Sequence, residues 1–330
     1  MIYPGRFATR RSAYRNSPLW VVTSYFNPLG YQRRLSNYRV FRRELVAPLL
    51  TVEMSTGRDF ALDDTDADIL VQCPKGEVMW QKERLLNHAL AHLPPACRYV
   101  AWVDNDLLFG ADDWPEQVQA LLQQVPVVQM FDISYHTPPE AQLESFQTSP
   151  DWMMRPSVAF RMSQGDSFNE CSSRFMLPTD GQATPGLAWA ARRTLLETHG
   201  WYDANIIGGG DNALASAAMG KFDLIPPKHY MSPRRSEHYR AWAEAFYNDV
   251  RGEIAYVPAP VTHLWHGDPT SRRYLERHQD MARFDFDPTR DIAISKSGPW
   301  RWASDKPELH SYLRDYFVSR QEDGCPVAAV

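Results

Sequence analysis

The apolar run Tyr99-Val100-Ala101-Trp102-Val103 ends in Asp104-Asn105-Asp106, two carboxylates flanking an amide. Residues two apart in a strand point to the same side, so an extended backbone through this tip lets Asp104 and Asp106 face one divalent cation. Hard carboxylate oxygens suit Mg²⁺ or Mn²⁺ shared between protein and substrate phosphates, and the same residue types also end strands simply by making turns. Further along, Gly208-Gly209-Gly210 precedes Asp211-Asn212, and Val261-Thr262-His263-Leu264-Trp265-His266 carries two imidazoles. A neutral imidazole adds a nitrogen ligand that Mn²⁺ accepts more readily than Mg²⁺. His266 is favoured over His263, because Gly267-Asp268 follows it and gives the backbone room. Asp211 is placed to take a proton from an attacking hydroxyl, since its glycines allow close approach; it is equally suited to cap the helix that starts there.

The elements that must position these groups alternate as in an α/β sheet protein. Leu19–Ser24 reads as a strand ending at the turn signal Asn27-Pro28, and apolar residues recur at helical spacing from Tyr31 to Leu45. The arginines between them read as a solvated face. Strands are predicted at Leu49–Glu53 and Ile69–Gln72, a helix over Val78–His92, and the aspartate-tipped strand comes fourth. A helix over Trp114–Gln124 leads to a fifth strand, Val127–Asp132. Periodicity is lost from Ile133 to Pro185, a length that in a compact chain marks a functional or disordered loop. It resumes at Gly186–Ala191, followed by a helix, a small-residue helix from Asn212 to Ala218, and an amphipathic last helix over Pro307–Arg320.

In this order the features resemble a GT-A fold glycosyltransferase of the family 2 and galactosyltransferase-like branches, over roughly 19–268. The resemblance implies a Rossmann-like mixed central sheet with flanking helices. It also implies one large domain over 17–268, with a donor half to about 132 and an acceptor half from 133, and a C-terminal helical extension over 269–330. It makes Asp104-Asn105-Asp106 the Asp-X-Asp motif that holds the metal, and His266 or His263 the late metal ligand. Gly209, Gly210 and Trp189 then lie against the donor sugar, Thr23, Ser24 and Glu53 meet the nucleoside, and Lys82 and Asn87 are further donor contacts. The implied reaction is transfer from a nucleoside-diphosphate sugar, UDP-sugar first, to a hydroxyl, with Mn²⁺ or Mg²⁺ and Asp211 as base. Inversion is favoured, although Gly210-Asp211 stands where many inverting relatives have a Glu-Asp pair.

Composition narrows the rest. A chain of 330 residues, 44% hydrophobic and 23% charged, is globular, and a net charge of −5 argues against coating nucleic acid by bulk charge. The four cysteines, Cys73, Cys97, Cys171 and Cys325, are too scattered for a zinc or redox motif. The N-terminal segment with Arg6, Arg10, Arg11 and Arg15 has no signal-peptide core and no run of apolar residues is long enough to span a membrane, so a cytoplasmic location is expected, in the host if the gene is viral. The acceptor classes are a cytoplasmic glycan, a protein, or hydroxymethylated bases of viral DNA. For DNA, Arg234, Arg235, Arg272, Arg273 and Arg301 would meet phosphates and Trp300 and Trp302 would stack. A metal-dependent nucleotidyltransferase or hydrolase, and a non-catalytic sugar-binding protein, are the other readings of the same residues.

Overall fold

A computed structural model describes residues 16–172 and 181–324. Arg6, Arg10, Arg11, Arg15 and Cys325 lie outside the described residues.

Seven strands form the central sheet: β1 (Leu19–Phe26), β2 (Leu49–Met54), β3 (Ile69–Cys73), β4 (Tyr99–Val103), β6 (Val127–Gln129), β9 (Ala188–Arg192) and β10 (Ile254–Tyr256), in the order β10-β6-β9-β4-β1-β2-β3. All pairings are parallel except those of β9, which runs antiparallel to β4 and β6. The mixed central sheet with flanking helices expected from the sequence is therefore present. Alternation along β1 shows why both faces are covered: Trp20 and Val22 enter one core with Leu85, Leu86 and Ala89, while Leu19 and Val21 enter another with Tyr38, Phe41 and Trp114. Near-continuous apolar strands are what a sheet buried on both faces requires. The helices supplying these contacts include α1 (Gln32–Glu44), α2 (Lys82–Leu90) and α3 (Trp114–Gln124). The predicted helix over Val78–His92 begins only at Lys82, because Trp80 N–H is drawn into a hydrogen bond with the Ile206 carbonyl.

The region without periodicity is not one loop. It contributes β7 (Ile133–His136) and β8 (Met153–Pro156) to a second sheet with β5 (Leu107–Phe109) and β11 (Val261–His263), in the order β5-β11-β7-β8. Two short helices follow, α4 (Val158–Ser163) and α5 (Phe168–Ser172). Strands of four residues are too short to show a period. Beyond β9, α6 (Arg193–His199) leads to α7 (Gly210–Ala218), and the 18-residue α8 (Pro233–Val250) is a helix the sequence reading does not anticipate. Its start is nonetheless signalled, with Ser232 capping Arg235 N–H and Pro233 in the first turn.

Past residue 268 the chain adds α9 (Glu276–Met281), the hairpin β12 (Ile292–Ile294) and β13 (Trp300–Trp302), and α10 (Pro307–Ser319). Leu309, Leu313, Tyr316 and Phe317 of α10 join the same core as Trp20 and Trp102. Cys73, Cys97 and Cys171 are buried and unbridged. Among the described residues no helix is long and apolar enough to cross a membrane.

Candidate active-site cleft

A cleft of about 490 Å³ opens at the carboxyl ends of β1 and β4, the side of such a sheet where nucleotides bind. β4 stops at Val103 and the chain turns at Asn105-Asp106 before β5. Three hydrogen bonds hold that turn: Thr23 Oγ1 donates to the Val103 carbonyl at 2.7 Å, Asn105 Nδ2 to the Ser24 carbonyl at 2.9 Å, and Asp104 N–H to the Leu187 carbonyl at 2.8 Å. Because the backbone turns rather than staying extended, the two carboxylates part company.

Asp106 faces the histidines. β11 pairs antiparallel with β5 in the register His263↔Leu107, and Leu264 N–H donates to the Asp106 carbonyl. His266 Nε2 lies 3.0 Å from Asp106 Oδ2 and His263 Nε2 lies 3.7 Å from Asp106 Oδ1. One ligand atom from each of the three residues falls within 4.8 Å of the others. Burial, with Arg272 nearby, holds both imidazoles below their ordinary range, His263 at about 3, so they are neutral lone-pair donors. Burial, reinforced by Asp104, pushes the Asp106 carboxyl up to about 7. Asp106 Oδ1 is buried without a hydrogen-bond partner, which is the atom a cation would satisfy. These residues fit a divalent ion, and both histidines belong to the set.

Asp104 does not join that cluster. Its Oδ1 accepts from Lys82 Nζ at 2.6 Å, and the same ammonium lies 3.2 Å from Asp211 Oδ1. Burial opposes the charge on Lys82, but Asp104 and Asp211 outweigh it and keep the ammonium protonated. Asp211 is pulled both ways, burial raising its proton affinity and Lys82 lowering it, with a net upward shift. It stands in the first turn of α7, where Gly208 and Gly209 have φ of +89° and +94°. A Cβ on Gly186 would come within 2.8 Å of Asp211 Oδ2, so the carboxylate rests directly on backbone there. Behind Gly209, His229 and His278 stack face to face at 4.1 Å.

Several residues expected at the donor lie elsewhere. Glu53 is buried at the end of β2 and accepts from Ala61 N–H at 2.6 Å and Gln72 Nε2 at 3.0 Å, fastening the loop after β2. Asn87 clamps the Gly200-Trp201 turn, accepting from Trp201 N–H at 2.8 Å and donating to Asp203. Trp189 is packed within the sheet with its indole N–H on the Pro185 carbonyl. Gly210 packs on buried Glu83 rather than facing the cleft. Thr23, Ser24, Lys82, Asp104 and Gly209 do line the cleft.

Several of the residues expected to contact DNA are engaged within the fold. Arg235 is buried and donates to Asn205 Oδ1, and Arg272 points into the cleft onto His266. Arg234 and Arg273 are ion-paired with Asp287 and Asp280. Trp300 is held by Asp203 and Trp302 stacks on His310 at 4.0 Å. Packing has consumed Arg235, Arg272 and the two tryptophans, while Arg234 and Arg301 stay exposed and Arg273 partly so. Conversely, Arg155, Arg277 and Tyr274 line the cleft and are absent from the sequence reading; an arginine amid the apolar Met153-Met154 was the one local hint.

No protein-family model matches the sequence, and no curated protein does. Solved structures with a similar arrangement include glucosyl-3-phosphoglycerate synthase from Mycobacterium tuberculosis in complex with Mn²⁺, UDP and glucosyl-3-phosphoglycerate, at 12% identity, covering 86% of this chain and 84% of that one, TM-score 0.38. Others are S. aureus TarS 1–349 in complex with UDP, at 11% identity, 83% and 68% coverage and TM-score 0.39, and a mycobacterial protein at 13% identity, 89% and 85% coverage and TM-score 0.39. At these values the likeness concerns the layout of strands and helices, and the chemistry rests on this chain's own side chains.

Proposed function

We propose that this chain is a divalent-metal-dependent glycosyltransferase that moves a sugar from a nucleoside-diphosphate sugar, UDP-sugar first, to a hydroxyl acceptor with inversion. The observation that carries the reading is the pairing, across one cleft, of a cation-ready Asp106-His263-His266 set with an Asp211 carboxylate held by Lys82. A nucleotidyltransferase accounts for the first without calling on the second, a hydrolase would use the carboxylate to activate water, and a non-catalytic sugar-binding protein needs neither.

Asp106, His263 and His266 would hold Mn²⁺ or Mg²⁺, the two imidazoles favouring Mn²⁺. Bound there, the ion supplies positive charge where the departing diphosphate develops negative charge. Lys82 serves the other half of the reaction. It fixes Asp211 beside Gly186, and Asp211 takes the hydroxyl proton as the new glycosidic bond forms and the bond to diphosphate breaks. Asp104 anchors Lys82 from the opposite side. Arg272, whose Nη2 is 2.8 Å from His266 Nε2, is placed to meet a diphosphate oxygen beside the ion.

The test is product identity. With Mn²⁺ and a panel of sugar nucleotides, the wild type is expected to release nucleoside diphosphate, and release of sugar 1-phosphate, from cleavage between the two phosphorus atoms, would assign nucleotidyl transfer or hydrolysis instead. Asp211→Asn keeps the size of the side chain while removing its basicity; Asp211 is not the helix cap expected from the sequence, because the helix starts at Gly210 with Gly209 as its N-cap. The variant should retain UDP and Mn²⁺ affinity and lose about 10²-fold to 10⁴-fold in turnover; near wild-type turnover would leave Asp211 a structural partner of Lys82 only.

A further inference from the structure

The cations lining the cleft do not balance against its carboxylates. Arg34 and Arg320 share Glu322, and Lys82 is taken by Asp104 and Asp211. Arg155, Arg272 and Arg277 have no carboxylate within 4.0 Å among the described residues. Two of the three are deeply buried, Arg277 being 4% and Arg155 9% exposed, and the Nε of each is buried with no hydrogen-bond partner. A buried charge left unpaired is strongly unfavourable, and aromatic contact relieves it only in part. Arg277 lies 5.1 Å over the Tyr274 ring and donates to Tyr316 Oη, whereas the Arg155 guanidinium has, among the described residues, the Ala183 carbonyl at 3.5 Å.

Position separates the three. Arg272 contacts His266 and donates to Tyr274 Oη at 3.1 Å, which places it with the ion and the diphosphate. Arg277 lies against Gly208 at the head of the loop that carries Asp211, and Arg155 reaches Ala183 in the segment whose Gly186 abuts the Asp211 carboxylate. Arg277 therefore flanks the proposed base, while Arg155, whose charge also bears on His263, lies between the segment against that base and the ion site.

We propose that Arg155 and Arg277, with Tyr274 beside them, form an anion subsite for the acceptor, so that the hydroxyl compound receiving the sugar carries a phosphate or a carboxylate. The inference rests on the glycosyl-transfer reading and deepens it. Guanidinium forks match both oxyanions bidentately, and an anionic group held there leaves a hydroxyl of the same molecule to meet Asp211. The donor's own diphosphate is the other source of such an anion, and the two are separable.

The experiment uses the full chain loaded with Mn²⁺ and saturating UDP, titrated with inorganic phosphate by calorimetry. Phosphate is expected to bind the loaded protein, and Arg155→Gln and Arg277→Lys are each expected to weaken it roughly tenfold or more with UDP affinity held within about twofold. Using both variants guards against misfolding from the tighter Arg277 site, with thermal melts as the check. In turnover, glycerol 3-phosphate against glycerol, and glucose 6-phosphate against glucose, should show the phosphorylated partner with the lower KM. Phosphate that binds only the UDP-free protein, with UDP affinity falling in both variants, would give these arginines to the donor and overturn the proposal. Phosphate affinity unchanged in both variants would overturn it too. Failure of UDP to bind in the presence of Mn²⁺ would sink the transfer reading itself, and the acceptor subsite with it.

Discussion

Asp104 and Lys82 are joined at 2.6 Å, and that contact divides the Asp104-Asn105-Asp106 triplet between two functions. One carboxylate anchors the ammonium that holds Asp211; the other faces two histidines from β11.

The division predicts different fates for two conservative variants. Asp106→Asn should lower Mn²⁺ affinity by well over the tenfold to hundredfold that follows from disturbing a metal's supporting shell. It should also raise the melting temperature of the metal-free protein, since it removes a buried like charge beside Asp104. Asp104→Asn should keep Mn²⁺ affinity within a few-fold and lower turnover. Calorimetry with Mn²⁺ and a thermal melt decide it, and equal loss of metal in both variants would return Asp104 to the ligand set.

Gly209 tolerates no side chain. At φ +94° an L-residue is strained, and a Cβ would sit 2.6 Å from His229 Cε1, whose ring is locked in the stack with His278. Gly209→Ala is expected to cost about 1–3 kcal/mol of stability and to lower turnover more than UDP affinity, because the displaced loop carries Asp211. Chemical denaturation alongside kinetics checks both halves.

Acid should loosen the C-terminal segment first. Burial works against the Glu322 charge, but Arg320 and Arg34 outweigh it and hold the carboxyl at about 2, below its ordinary 4.5. A folded-state value below the unfolded one means stability that is present above about pH 4.5 and is lost as pH falls toward 2. The contribution at neutral pH is on the order of 3 kcal/mol. Glu322→Gln should be less stable than wild type at pH 7, and the gap should narrow below pH 4.5 and close only as pH approaches 2; a gap independent of pH would mean the ion pair contributes nothing.

Glu53 should prove a fold residue. Glu53→Ala strips the acceptor from Ala61 and Leu62 N–H and from Gln72, and buried donors left unpaired cost about 1–3 kcal/mol. UDP affinity at Mn²⁺ saturation should be unchanged once folded protein is compared with folded protein. A tenfold loss without a stability change would restore Glu53 to the nucleoside.

Five of the seven central strands, several of the helices packed on them, and the three places where chemistry concentrates are legible in the sequence. Period-2 and period-3.6 patterns are local, and they survive folding because burying apolar faces is what drives these elements together. Trp114–Gln124 is read to the residue for that reason, and Asp106, Asp211 and the two histidines are picked out as acids and imidazoles at element ends. Tertiary structure decided how those residues are shared out. The turn after Val103 separates Asp104 from Asp106, and the β5–β11 register brings both His263 and His266 to Asp106 where spacing alone favoured one. Glu53 and Asn87 went to backbone amides because buried N–H groups must find acceptors, and the Arg155–Arg277 pair exists only because β8, in a stretch without period, and α9, near the end of the chain, meet at one cleft. Such pairings are set by long-range packing, and nothing in the neighbouring residues encodes them.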